Sequence, residues 1–122
     1  MHILLVDDEP DITFVLKRGL TLAGFSVDTF NDPVLALDKF KASVYELLVF
    51  DVKMPQMDGF TLYEKIRQID DKAKVCFMTA FDVEYDKIFR SKFPHLSAKC
   101  FMRKPISIKE MVRIARSELN LD

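Results

Sequence analysis

Apolar residues in this chain fall into short continuous runs, separated by stretches in which they recur every three or four positions. The first run, His2–Asp7, reads HILLVD without polar alternation, the mark of a strand covered on both faces. Pro10 then suits a first helical turn. Ile12, Val15, Leu16 and Leu20 follow at helical spacing, and Gly24 supplies a left-handed stop. Phe25–Phe30 predicts a weaker strand; Asp32 caps and Pro33 opens a helix reaching Lys41. LLVFD at Leu47–Asp51 and KVCFMT at Lys74–Thr79 predict two more buried strands. Between them lie a loop at Lys53–Gly59, marked by Pro55 and Gly59, and a helix over Phe60–Ile69 with Leu62, Tyr63, Ile66 and Ile69 at suitable offsets. Asp82–Phe93 predicts a fourth helix and Lys99–Met102 a short fifth strand. Ser107 and Glu110 form a capping box in which each side chain closes an orphan amide, and the fifth helix carries Met111, Val112, Ala115 and Leu119 on one face.

Strands alternating with helices imply an α/β fold built on a doubly wound parallel sheet of five strands, with right-handed crossovers. The 122 residues make one domain, and the 49% that are hydrophobic suffice to fill its core without staples. The net charge of -1 argues against direct nucleic acid binding. The start MHILLVDDEP is no signal peptide and no run is long enough to span a membrane, so a cytoplasmic location is expected. Cys76 and Cys100 lie outside any zinc-type spacing and are read as buried thiols in a reducing compartment, with a redox pair as the alternative.

In a parallel sheet of this kind the functional site lies at the carboxyl ends of the strands. There the first strand ends in Asp7 and Asp8, the third in Asp51 and the fourth in Thr79, while Lys104 follows the fifth. Three neighbouring carboxylates repel one another, and a hard divalent cation removes that repulsion; oxygen ligands favour Mg²⁺. A phosphoryl group would complete the shell of such an ion, with Lys104 and the Thr79 hydroxyl covering further equatorial oxygens. Asp51, the lone acid at the tip of the central strand, is then the carboxylate placed to accept it, and Asp7 and Asp8 are the pair suited to hold metal.

The set DDE at Asp7–Glu9, DVKMPQMDG at Asp51–Gly59, MTA at Met78–Ala80 and FMRKP at Phe101–Pro105 resembles the receiver domain of two-component response regulators, of the chemotaxis-regulator kind. The likeness spans nearly the whole chain. It implies a flavodoxin-like (βα)5 fold with strand order 2-1-3-4-5 over residues 1–122, with no effector domain in this stretch. It implies that Asp51 takes phosphate from a sensor histidine kinase or phosphotransfer protein. It further implies that Asp8, Asp51 and the Lys53 carbonyl ligate Mg²⁺, with Asp7 acting partly through water. Thr79 would be the switch hydroxyl, Phe101 the switch aromatic and Lys104 the phosphate-sensing lysine. Phosphorylation would then remodel the surface of the fourth helix, fifth strand and fifth helix, for a downstream protein partner or a homodimer. The chain departs from the family's pattern between Thr79 and Lys104, which runs longer than usual, and reads Leu96–Cys100 where Gly-Ala is common.

Each residue also has a plainer reading. Acids before a helix serve as caps, Thr79 suits a strand end, Phe101 can be core, and Lys53 can be solvated. Phe81, Tyr85, Phe89 and Phe93 form a helical stripe that either packs on the sheet or meets a partner. His2 and His95 are assigned no role. Among whole-protein alternatives, a pseudo-receiver that binds partners without taking phosphate keeps the fold. Enzymes fit less well: Asp7–Glu9 has the wrong charge for a flavin phosphate loop, Lys53 replaces the second aspartate of a haloacid-dehalogenase phosphatase, and no GK[ST] loop is present. No enzyme beyond self-phosphorylation and self-dephosphorylation is expected.

Overall fold

A computed structural model describes residues 1–80, 87, 91 and 100–121. The strands are β1 (His2–Val6), β2 (Ser26–Phe30), β3 (Leu47–Asp51), β4 (Lys74–Thr79) and β5 (Phe101–Arg103). They form one parallel sheet in the order β2-β1-β3-β4-β5. The helices are α1 (Pro10–Leu22), α2 (Pro33–Lys39), α3 (Gly59–Arg67) and α4 (Ile108–Glu118), the last being the fifth helix of the sequence expectation. The expected helix over Asp82–Phe93, its aromatic stripe, His95 and the Leu96–Lys99 departure lie outside the described residues.

Alternation along the strands builds two cores. Leu4, Val6, Leu48, Phe50 and Phe77 face one side, where Phe60, Leu62, Tyr63 and Ile66 of α3 and Ala36 of α2 cover them. Ile3, Leu5, Val49, Cys76, Met78 and Met102 face the other, under Leu16 and Leu20 of α1 and Met111 and Ala115 of α4. The runs lack polar alternation because both faces are dry. Phe50, Phe60 and Phe77 are fully buried, and each such side chain contributes roughly 1.5–3 kcal/mol through removal of its surface from water. Among the described residues no helix is long and apolar enough to cross a membrane.

Local signals explain most boundaries. Asp32 caps α2 by accepting from the Val34 amide, and Asp58 caps α3 by accepting from the Thr61 amide. Gly24 has φ 102°, the left-handed stop expected there. The capping box of α4 is half formed. Ser107 Oγ accepts from the Glu110 amide, but the Glu110 carboxylate turns forward to the Arg113 guanidinium, a charged partner on the next turn. In α1, Val15 faces solvent, and Thr13 and Gly19 take buried places instead. Gly19 lies where α1 crosses the start of α4, and a Cβ there would meet Ile108 Cγ2 at 2.3 Å. Ile69 also departs from its expected face: it falls beyond α3 and is exposed.

The cysteines correct the reading of two separate thiols. Cys76 and Cys100 are joined by a disulfide with Cα atoms 4.6 Å apart. Parallel register causes the encounter: Phe77 pairs with Phe101 and its amide donates to the Cys100 carbonyl at 2.9 Å, so the preceding residues lie side by side.

Gly59 sets how closely α3 approaches the tip of β3. Its amide donates to the Val52 carbonyl at 2.8 Å, and a Cβ there would meet the Asp51 carbonyl oxygen at 2.2 Å. That neighbour is backbone and cannot rotate away. Gly59→Ala is therefore expected to destabilise the fold by about 1–3 kcal/mol. In urea denaturation this is a lowered midpoint with an unchanged slope.

Candidate functional site

The carboxyl ends of β1, β3 and β4, and the loop leaving β5, meet at one edge of the sheet. Each strand end fixes one group. Asp7 directly follows β1, and its amide donates to the Phe30 carbonyl of β2 at 3.2 Å. Asp51 is the last residue of β3, and the next amide, Val52, donates to the Met78 carbonyl at 3.0 Å. Thr79 ends β4 and is buried; its carbonyl accepts from the Lys104 amide at 2.9 Å, which anchors the lysine beside it. The peptide bond from Lys104 to Pro105 is cis.

At the centre lies the Lys104 ammonium. Its Nζ is 2.9 Å from Asp7 Oδ2, 3.3 Å from Asp51 Oδ1 and 3.4 Å from Glu9 Oε1. Asp7 is fully buried and Asp51 only 4% exposed, so these charges face each other with little water between. The Asp7 contact is one of charge rather than of a directed hydrogen bond: Oδ2 is buried without an aligned donor, while Oδ1 accepts from the Glu9 amide at 2.9 Å. Asp7, Asp8 and Asp51 can each aim one carboxylate oxygen so that all three lie within 4.8 Å of one another.

The electrostatics follow. Burial, then the Asp7 charge, push Asp51 up to about 7 against the opposing pull of Lys104. Burial also raises Asp7, with Lys104 and the Glu9 amide opposing. For Lys104, burial favours the neutral amine, but the two carboxylates outweigh it and the ammonium is held above its ordinary range. One ammonium thus faces two buried acids with a third close by, and the cluster has room for further positive charge. A buried carboxylate oxygen that accepts no hydrogen bond and an all-oxygen donor set fit a hard cation such as Mg²⁺.

The residues singled out in the sequence divide between this cluster and its rim. Asp7, Asp8, Asp51 and Lys104 come together, and Thr79 is tied to Lys104 through the backbone. Lys53 sits two residues past Asp51 with an exposed side chain. Phe101 is half-buried one strand away, its ring 5.6 Å from that of Phe77 and 6.3 Å from that of Phe60, on the α2–α3 side of the sheet. Two residues escaped notice. Asn31 Nδ2 donates to the Asp7 carbonyl at 2.8 Å and to Thr13 Oγ1 at 2.9 Å, holding the loop after β1 against the tip of β2 and the first turn of α1. Asn31 is not among the residues singled out above. Its signal, a polar residue directly after a strand beside the acid pair, gained meaning once β2 lay next to β1.

A family model described as the response regulator receiver domain matches residues 3–116. The transcriptional activator protein IrlR of Burkholderia pseudomallei is 37% identical over 119 residues, which cover 98% of this chain and 50% of IrlR. The chain thus spans about half the length of such curated relatives. Among solved structures, the response regulator protein TrrA of Thermotoga maritima, in complex with Mg(2+)-BeF, is 30% identical with a TM-score of 0.78, over 96% of this chain and 97% of TrrA. The non-phosphorylated HemR receiver domain of Leptospira biflexa is 25% identical with a TM-score of 0.84, over 99% of this chain and 95% of that one.

The raised Asp51 carboxyl links stability to pH. Above about pH 4 the unfolded chain has released this proton, whereas the folded chain keeps it until about pH 7. The folded state binds more protons across that window, so its stability falls as pH rises from about 4 to about 7. The raised Asp7 adds a fall of the same sign. In metal-free buffer the loss is expected to be on the order of 2 kcal/mol, and Asp51→Asn, which stays neutral, flattens most of it. Urea midpoints measured through this range for both proteins check the sign. A wild type that gains stability up to pH 7 contradicts the assignment.

Proposed function

Because the chain belongs to the family of response regulator receiver domains of two-component systems, we propose that it is a phosphorylation switch whose acceptor is Asp51. Receiver domains are signalling domains rather than classical enzymes, and they interact with sensor kinases or phosphotransfer partners. The observation that carries the proposal is the placing of the Lys104 ammonium 2.9 Å from Asp7 Oδ2 and 3.3 Å from Asp51 Oδ1 at the strand tips.

The donor in this reading is a phosphohistidine of a sensor histidine kinase or phosphotransfer protein. An ionised Asp51 oxygen attacks phosphorus, the P–N bond breaks with its electron pair going to the imidazole, and an acyl phosphate forms on Asp51. Lys104 favours the ionised form of Asp51 and then faces the new phosphoryl oxygens, where it neutralises charge. The Thr79 hydroxyl is the donor for another oxygen. Asp8, Asp51 and the Lys53 carbonyl would hold Mg²⁺, with Asp7 acting partly through water. When bound, the ion neutralises the negative charge that acceptor and donor bring together. Asn31 and Thr13 keep the loop carrying Asp7 and Asp8 in place.

Phosphate on Asp51 changes what Lys104 and Thr79 touch, and both connect directly to β5. In this reading Thr79 moves toward the phosphate, Phe101 rotates inward, and the surface around β5 and α4 changes for a downstream protein or a second copy of the chain. A cytoplasmic location follows from such a donor.

Incubation with acetyl phosphate and Mg²⁺ is expected to add one phosphate mass to the intact protein. Asp51→Asn abolishes the adduct and chelation of the metal prevents it. Lys104→Ala slows its appearance on the order of tenfold to a hundredfold. Intact-mass spectrometry over time reads all of these. Unmodified wild type with metal present, together with partner binding indifferent to Asp51→Asn, would instead mark a phosphorylation-independent pseudo-receiver.

A further inference from the structure

Among the described residues β5 is the edge strand of the sheet and pairs with β4 alone, through Phe101, Met102 and Arg103. It leads directly to Lys104. The disulfide between Cys76 and Cys100 crosses between these two strands at the start of that pairing. Side chains alternate along a strand, so the bridge lies on the α1–α4 side while the rings of Phe77 and Phe101, one residue further on, touch on the other side. The one strand that the phosphorylation reading requires to move is thus the strand that the sulfurs tie down.

We propose that Cys76 and Cys100 form a reversible thiol–disulfide pair whose closed state clamps β5 onto β4 and restrains Phe101; the consequence for Phe101 rests on the phosphorylation reading above. The two sulfurs differ in access. Cys100 is half-buried just ahead of β5, whereas Cys76 is fully buried in β4. Cys100 is therefore the entry point for a small-molecule disulfide such as oxidised glutathione. Its thiolate attacks one sulfur of the oxidant; the oxidant's S–S bond breaks, its other sulfur leaves as a thiol, and the attacked sulfur remains as a mixed disulfide on Cys100. Cys76 then attacks the Cys100 sulfur and expels the second thiol. The protein dithiol is oxidised by two electrons, and the small disulfide is reduced to two thiols. A Glu118 carboxylate oxygen at the end of α4 lies 3.8 Å from Cys76 Sγ and is the acceptor for the Cys76 proton in the second step. A reducing cytosol does not exclude such a bridge, since those that form there are mostly transient and redox-sensing.

The test uses the reduced full chain in buffers of graded reduced and oxidised glutathione, followed by denaturing alkylation and intact-mass spectrometry. Wild type is expected to lose both thiols together without a lasting glutathione adduct, and to recover both with dithiothreitol. Cys76→Ser stops at a glutathione adduct on Cys100, and Glu118→Gln slows closure without changing its end point. In the closed form, amide exchange at Phe101–Arg103 is expected to slow by about tenfold or more relative to the reduced form. Two free thiols in the most oxidising buffer, or a persistent adduct on wild type, overturns the pair. Equal exchange in the two forms overturns the clamp. Repeating the thiol count on Asp51→Asn, where the same closure is expected, separates failure here from failure of the phosphorylation reading.

Discussion

The site is organised by a single ammonium held among buried carboxylates. Lys104 comes from the loop after β5, Asp7 from the end of β1, three strands in from it, and Asp51 from the central strand β3 between β1 and β4. Their distances hold only if the sheet is parallel, in register and closed on both faces. The two hydrophobic cores therefore do more than stabilise the chain. They fix three strand tips at the same height, so that groups far apart in sequence converge within a few ångströms. The balance within the cluster is uneven: burial, and then the neighbouring Asp7 charge, push Asp51 up to about 7 against the pull of the one ammonium. That uneven balance is what the proposed cation and phosphoryl chemistry draws on.

Much of this was legible in the residues because two independent signals agreed. Continuous apolar runs such as LLVFD marked strands dry on both sides, and every run of that kind ended in, or led to, a chemical group. The capping residues Asp32 and Gly24 did what local backbone geometry demands, which depends on few neighbours. Less legible were features set by contact between elements. Val15 has helical spacing but is exposed, while Gly19, four residues on, is buried where α1 meets Ile108 of α4. Glu110 matches a capping box, yet a nearby Arg113 competes for its carboxylate. Asn31 braces the Asp7 loop, and no pattern along the chain announces a hydrogen bond between residues 24 apart.

The cysteines show the same limit most sharply. Cys76 sits inside an apolar strand and reads as a small core residue. Cys100 precedes a strand only three residues long, whose register against β4 no local pattern specifies. Shifting that register by one residue would turn Cys100 to the other face of the sheet and separate the sulfurs. The bridge is thus a property of register. The same register sets Phe101 on Phe77 and anchors the Lys104 amide on the Thr79 carbonyl.

β5 and its flanks accordingly carry one side of three contacts with β4: the sulfur bridge to Cys76, the ring of Phe101 on Phe77, and the Lys104 amide on the Thr79 carbonyl. Among the described residues β5 is three residues long with one neighbour, so few strand-pairing hydrogen bonds hold it. In the proposed switch a new charge on Asp51 would act at its carboxyl end through Lys104, and a bond between sulfurs would act at its amino end through Cys100. The two proposed inputs would meet on one short strand, and by linkage any restraint on β5 that opposes the phosphorylated arrangement must weaken the response to phosphate by the same factor. Had Lys104 or Phe101 been carried on the central strand β3, paired on both sides and wholly buried, neither input could have shifted them without opening the core.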